Sequence, residues 1–196
     1  MFRINIENLH LALLESDTEA GAIYGTDIDK IPGTMAIKVS PQISSGKLYG
    51  DGKRRSDLNK VNSYELALEH NKIPYSVLSK YMGHEIDIDG VMTVSADDVP
   101  LDFALGYEVE LEGDGKELIW FLKCSFSPGE RNDQQSEDNI TYSVDNMTVK
   151  ALPLKYNNDI YTLTDTSDEG MGVSNTVVSE WFNAVRVKPP KGTQGG

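Results

Sequence analysis

Residues 104–126 read ALGYEVELEGDGKELIWFLKCSF. Tyr107, Val109 and Leu111 alternate with Glu108, Glu110 and Glu112. A period of two puts the apolar set on one face of a strand and the acidic set on the other. Gly113-Asp114-Gly115 is a tight-turn signal, and residues 117–126 return as an aromatic-rich partner strand. A hairpin of this kind, with one apolar face, points to an antiparallel sheet.

Upstream the pattern repeats. Tyr64, Leu66 and Leu68 alternate with Glu65, Ala67 and Glu69. Met35, Ile37 and Val39 mark another strand, with Pro41 as its expected end, and residues 9–14 form a short apolar strand. Residues 15–32, rich in Gly, Asp and Thr, read as a loop. Residues 40–60 read as a long polar hairpin arm turning at Asp51-Gly52. Its apolar content is low, and a lone two-stranded ribbon is marginal in water. The arm therefore needs a surface to lie on, in this chain or in a neighbouring copy.

One helix is expected at residues 74–82. Pro74 suits the first helical position, Val77, Leu78, Tyr81 and Met82 form a stripe, and Gly83 is the stop. Downstream, residues 127–139 read as a polar loop. Residues 140–152 and 155–164 read as a second hairpin, turning near Asn157-Asn158-Asp159. Residues 175–184 form a short helix capped by Asn175, residues 185–187 a last strand, and residues 188–196 a free tail. The fold class is mainly β: an antiparallel β-sandwich or barrel with one flanking α-helix and a long hairpin arm. No linker or repeat divides residues 1–187, which read as a single domain of ordinary size.

Composition narrows the function. The chain has 196 residues and a formal net charge of −13, which disfavours binding to a phosphate backbone. No apolar run approaches the roughly 20 residues of a membrane span, and the N-terminus lacks the layout of a signal peptide. A cytosolic origin is expected. Cys124, the one cysteine, sits in an apolar run and reads as a small buried hydrophobe.

Chemical motifs are weak. Residues 85–90 (EIDIDG) resemble the start of a calcium loop, but the twelfth position is Ala96 where a bidentate Glu is needed. His10, His70 and His84 lack ligand spacing, and no nucleophile elbow, Walker motif or dinucleotide fingerprint occurs. No metal, cofactor or catalytic residue is expected, and the chain does not read as an enzyme. A hydrolase with dispersed carboxylates would need two of them in one cleft. A β-sandwich module binding carbohydrate or peptide would use exposed tyrosines such as Tyr24, Tyr49 or Tyr156. Within an acidic chain, the basic run Lys53-Arg54-Arg55 suits an ion-pairing contact with an acidic neighbouring subunit better than phosphate. The acidic strand faces, from pattern alone, are ordinary solvated surface.

Several segments, taken in order, resemble the major tail (tail tube) proteins of long-tailed siphophages infecting Gram-positive bacteria. They are Leu9 to Leu14 followed by Tyr24-Gly25-Thr26; Ile31-Pro32-Gly33; Ala36 to Pro41; Leu48-Tyr49 and Asp51-Gly52; and Met82-Gly83-His84. Gly90-Val91-Met92, Asp97 to Pro100, Ala104 to Tyr107, the Trp120 strand and Trp181 to Val185 continue the series to residue 187. The resemblance implies a tail-tube type of fold. It implies hexameric rings stacked into a hollow conduit that delivers the genome, with the arm and termini bridging subunits and rings. On that reading Lys47, Leu48, Tyr49, Lys53, Arg54 and Arg55 are inter-subunit arm candidates. Glu65, Glu69, Glu108, Glu110 and Glu112 are candidates for a lumen wall that repels DNA. The implied partners are further copies of the chain, a tape-measure protein, and tail terminator and baseplate proteins. Double-stranded DNA passes through without specific binding, and no membrane is entered. The implied location is the virion, after synthesis in the host cytoplasm.

Overall fold

In this computed structural model the described residues are 2–50, 53–127 and 145–188, with backbone alone for 45–50, 53–58 and 145. The chain is mainly β, as its alternation predicts. In order come β1 (Arg3–Thr18), β2 (Gly21–Ile31), β3 (Thr34–Gly50), β4 (Lys53–His70), α1 (Tyr75–Met82), the short pair β5 (Glu85–Ile86) and β6 (Met92–Thr93), β7 (Phe103–Leu111), β8 (Lys116–Ser127), β9 (Asp145–Ala151), β10 (Tyr161–Asp165) and α2 (Asn175–Ser179). A single antiparallel sheet of eight strands runs β2-β1-β7-β8-β9-β4-β3, with β10 beside β8. The sheet curls, and β3 returns to contact β1.

The β7–β8 hairpin forms as read, with Gly113 and Asp114 both at positive φ in the turn. So do the helix and its stop. Pro74, expected at the first helical position, is instead the N-cap, so the helix begins one residue later at Tyr75, and Gly83 closes α1 in the left-handed region at φ 74°. A Cβ at Gly83 would stand 2.5 Å from the Val99 carbonyl oxygen, so position 83 requires glycine both for its φ and for space.

Six expectations are corrected. Residues 15–32 are not loop: β1 continues to Thr18, and β2 pairs with it from Leu9↔Ile31 to Thr18↔Gly21. The turn residues in that stretch mislead because a partner strand satisfies their backbone groups whatever their intrinsic preference. Pro41 does not end β3, where it pairs with Tyr64. Strand β3 ends the sheet order, and an edge strand is where a proline, lacking its N–H, is tolerated.

Residues 140–152 and 155–164 are not a hairpin. Strands β9 and β10 do not pair with each other. Both lie antiparallel along β8, β9 at Cys124–Ser127 and β10 at Glu117–Phe121. Residues 152–160 are an excursion within one interrupted strand, with Asn158 at positive φ. At the C-terminal end, Ser174 rather than Asn175 caps α2, accepting from the Val177 N–H. The helix stops at Ser179, and residues 185–187 form no strand. The Asp51-Gly52 turn, the polar loop from 128 to 139, residues 140–144 and the tail from 189 lie outside the described residues.

Apolar packing lies on both sides of the sheet. On the inner face Leu9, Leu11, Leu66, Leu68, Phe103, Leu105 and Phe121 pack with Tyr81 and Met82 of α1. On the outer face of β1, β7 and β8, Ala12, Ala104, Leu118, Trp120 and Leu122 are covered by Leu154 and Trp181, with Phe182, Val185 and Val187 against them. The Trp120 indole N–H donates to the Trp181 carbonyl at 3.0 Å, fixing this C-terminal cover. Strands β7 and β8 are thus sandwiched, whereas the outer face of β4 and β9 is left to water.

Candidate functional site

The β3–β4 ribbon is the dominant surface feature. Its strands have 17 and 18 residues and pair continuously from Thr34↔His70 to Gly50↔Lys53. Strand β9 pairs with β4 from Tyr64 to His70. Beyond that, residues 43–50 and 53–61 pair with each other alone among the described residues. Ile43 and Val61 face each other there, and both are exposed. Lys47, Leu48, Tyr49, Lys53, Arg54 and Arg55 all lie in the last rungs of the ribbon. Their side chains are outside the described residues.

The acidic candidates separate into two groups. Glu65 and Glu69 stand exposed on the outer face of β4. Glu65 is opposite Lys150 in register and Lys38 is opposite Ala67, so two cations share that face with the two acids. On β7 the acidic row is not uniformly solvated. Glu108 is only 7% exposed and accepts from the Lys116 ammonium at 2.8 Å. That bond raises the lysine's pKa, against the effect of its partial burial. Glu110 is half-buried, and Glu112 is exposed just beyond the strand. The structure therefore brings Glu65 and Glu69 to water together and places Glu108 inside an ion pair.

An open cavity of about 560 Å³ lies where the curled sheet fails to close. Its floor is Tyr107, Val109, Ile119 and Phe121, and its walls are Ile4 and Ile6 of β1, Met35 and Val39 of β3, and Tyr161 and Leu163 of β10. Arg3 at its rim bonds both carboxylate oxygens of Glu117, at 3.0 and 3.1 Å. Burial pushes the Tyr107 phenol up to about 12, so this group stays neutral. Sequence reading did not reach this cavity. The alternating Phe2, Ile4 and Ile6 signalled an apolar strand face at the N-terminus, but whether the opposite edge meets it depends on sheet curl.

The tyrosines proposed for a binding face are otherwise engaged. The Tyr24 hydroxyl donates to the Leu122 carbonyl at 2.9 Å, and Tyr156 to the Lys188 carbonyl at 2.6 Å. Tyr49 is beyond the described side chains.

Titratable groups with chemical potential are built into the fold. Burial raises the Cys124 thiol well above its usual range. His10 donates from Nδ1 to the Asn8 carbonyl at 2.6 Å and stacks on Phe182 with 4.2 Å between ring centres. Burial lowers its pKa. His84 Nδ1 is 2.6 Å from Asp98 Oδ2, and the Ser95 backbone N–H together with His84 holds Asp98 below the ordinary carboxylate range. The Lys72 N–H donates to His70 Nδ1 at 3.1 Å, at the base of the ribbon. Among the described residues no group of three or more His, Cys, Asp or Glu is arranged to hold a metal ion. Residues 85–93 instead form a small hairpin, with Asp87 Oδ1 accepting from the Asp89 and Val91 N–H groups. No helix among the described residues is long and apolar enough to cross a membrane.

No family model matches the chain, and no curated protein matches it.

Proposed function

We propose that the chain is the subunit of a hollow tube of the phage-tail type, built from stacked, six-membered rings that conduct DNA. The observation that carries this reading is the β3–β4 ribbon, whose outer half pairs only with itself among the described residues and exposes Ile43 and Val61. A two-stranded ribbon is marginal alone, and a neighbouring copy supplies the missing surface. The free edges of β2 and β3, at the two ends of the sheet order, offer further backbone groups for strand addition. A head-to-tail contact repeated about an axis closes a ring, and one repeated along it extends a filament. Glu65 and Glu69 are the acidic residues best presented to a lumen. A tape-measure protein, terminator and baseplate proteins, and a place in the virion belong to the same proposal.

The test is negative-stain electron microscopy of the purified chain over a concentration and salt series. Hollow tubes or rings with a central hole are expected. Removing residues 44–58 should leave a folded domain with an unchanged far-ultraviolet strand signature but no tubes. Normal tubes from that deletion would refute the bridging role of the arm.

A second reading, a monomeric module for a carbohydrate or peptide, is favoured by the aromatic cavity beside Tyr107, Phe121 and Tyr161. It predicts a monomer at every concentration, with a bound oligosaccharide or peptide shifting the NMR signals of those three rings.

A further inference from the structure

Ile4, Met35, Val39, Tyr161 and Leu163 are large apolar side chains that folding leaves exposed, and all five line the open cavity beside Tyr107. Their gathering in one place follows from the strand layout. Strand β2 pairs with β1 only from Leu9 onward, so among the described residues Arg3 to Glu7 are paired on the β7 side alone. Strand β3 starts three residues after β2 ends and pairs with β4 instead. The sheet stays open between the first residues of β1 and those of β3, and the apolar interior reaches the surface there.

Apolar walls around a space of about 560 Å³ suit an aliphatic chain. Water is poorly held in such a space, because the walls offer it few partners. One end of the cavity is polar. Tyr107 is 6% exposed, lines the cavity, and makes no hydrogen bond through its hydroxyl among the described residues. A buried hydroxyl without a partner is costly, and a ligand oxygen would satisfy it. Arg3 and Glu117 are near enough to act on this phenol electrostatically. They form an ion pair through two hydrogen bonds, and Arg3 Nη1 is left without one among the described residues. The pair is neutral as a unit, so it presents donors and acceptors to a ligand but no net charge. An anionic head would meet the Glu117 carboxylate, on a chain whose formal net charge is −13.

We infer that this cavity binds a non-ionic amphiphile, with its single aliphatic chain along Ile4, Met35, Val39 and Leu163 and its hydroxylated head hydrogen-bonded to Tyr107 beside Arg3 and Glu117. Such a site rests on neither the tube reading nor the module reading.

Isothermal titration of the full chain with glycerol monodecanoate, below its micelle threshold, tests this. Saturable binding of one molecule per chain is expected. Affinity should rise about four-fold for each methylene added between the octanoyl and decanoyl esters. Decanoate, whose head is a carboxylate, should bind about ten-fold more weakly than the glyceride. Tyr107→Phe, which removes only the hydroxyl, should weaken glyceride binding about five-fold. Met35→Asp changes an exposed position on the cavity wall and should abolish binding, whereas Val94→Asp, exposed outside the cavity, should leave it unchanged. Absence of saturable binding overturns the site, as does binding that survives Met35→Asp. Equal affinity in Tyr107→Phe, or tighter binding of decanoate, overturns the assignment of the head. An oligosaccharide or peptide that shifts the Tyr107, Phe121 and Tyr161 ring signals where the glyceride does not overturns the amphiphile and leaves the module reading standing.

Discussion

Glu108 on β7 lies on the covered face of the sheet, ion-paired to Lys116, while Glu65 on β4 occupies the same kind of place in an alternating strand and stands in water. Both strands carry apolar residues toward the same inner core. They differ in what lies over their other face. Strand β7 sits between β1 and β8, beneath Leu154 and Trp181, whereas β4 sits between β9 and β3 with a polar outer face. Alternation therefore states which residues share a face, and burial of that face is decided by what the rest of the chain places upon it.

The largest way to break the comparison is Gly106→Val. A Cβ at Gly106 on β7 would come within 2.7 Å of the Trp120 ring, so the covered face has no room for it. Overpacking there should cost about 3 kcal/mol. Ala67→Val, on the open face of β4, should change stability by no more than about 0.5 kcal/mol. Urea unfolding of the two variants measures both, and equal midpoints would refute the distinction between the faces.

Next in size is Glu108→Gln, which removes the charged partner of Lys116. The lysine is substantially exposed, so solvent screens the pair and the loss should be about 1 kcal/mol. The matching change on β4, Glu65→Gln, should fall within about 0.5 kcal/mol of zero. A thermal melt in low salt separates the two, and the gap should narrow as salt is added.

The smallest effect is a pH dependence confined to the covered face. Burial lowers the pKa of His10 beneath Phe182, with Lys30 acting in the same direction and the Asn8 carbonyl and Glu108 against it. As pH falls, the unfolded chain takes up this proton near the ordinary imidazole value of 6.5, before the folded chain does. The stability that neutral His10 provides is therefore complete above pH 6.5 and declines as pH falls below it. His10→Gln should flatten that part of the stability profile, while Glu65→Gln should leave it unchanged.

The β7–β8 hairpin, the Gly83 stop, the inner face of β4 and burial of Cys124 were legible because each is written in neighbouring residues. So was the pairing of residues 43–50 with 53–61, from two polar stretches on either side of Asp51-Gly52. The second role of Glu108 was not, since its alternation is identical to that of Glu65. Residues 15–32 were misread because their Gly, Asp and Thr content signals turns, yet β1 supplies partners for them. The split of β9 and β10 was misread for a related reason. Both segments have strand patterns and a turn-like stretch between them, and a hairpin is the usual local solution. Here β8 is long enough to receive both in succession.

For the proposed assembly surfaces, sequence marked the basic tip and the acidic strands. The acids at the start of loop 85–101 were visible as a failed calcium motif. The exposure of Ile88, Val91, Val94 and Val99 was not, because an aliphatic residue near a strand is ordinarily buried and only the packed fold shows what is left outside.

By itself the sequence determined periodicity, turns, the helix stop and the charge of each segment, all consequences of side-chain chemistry acting over a few residues. The tertiary structure alone decided which strand pairs with which, which sheet face is covered and how far the ribbon's tip lies from its base. Those depend on contacts between residues distant in the chain, and the same local pattern satisfies several of them until one sheet order and one cover are chosen.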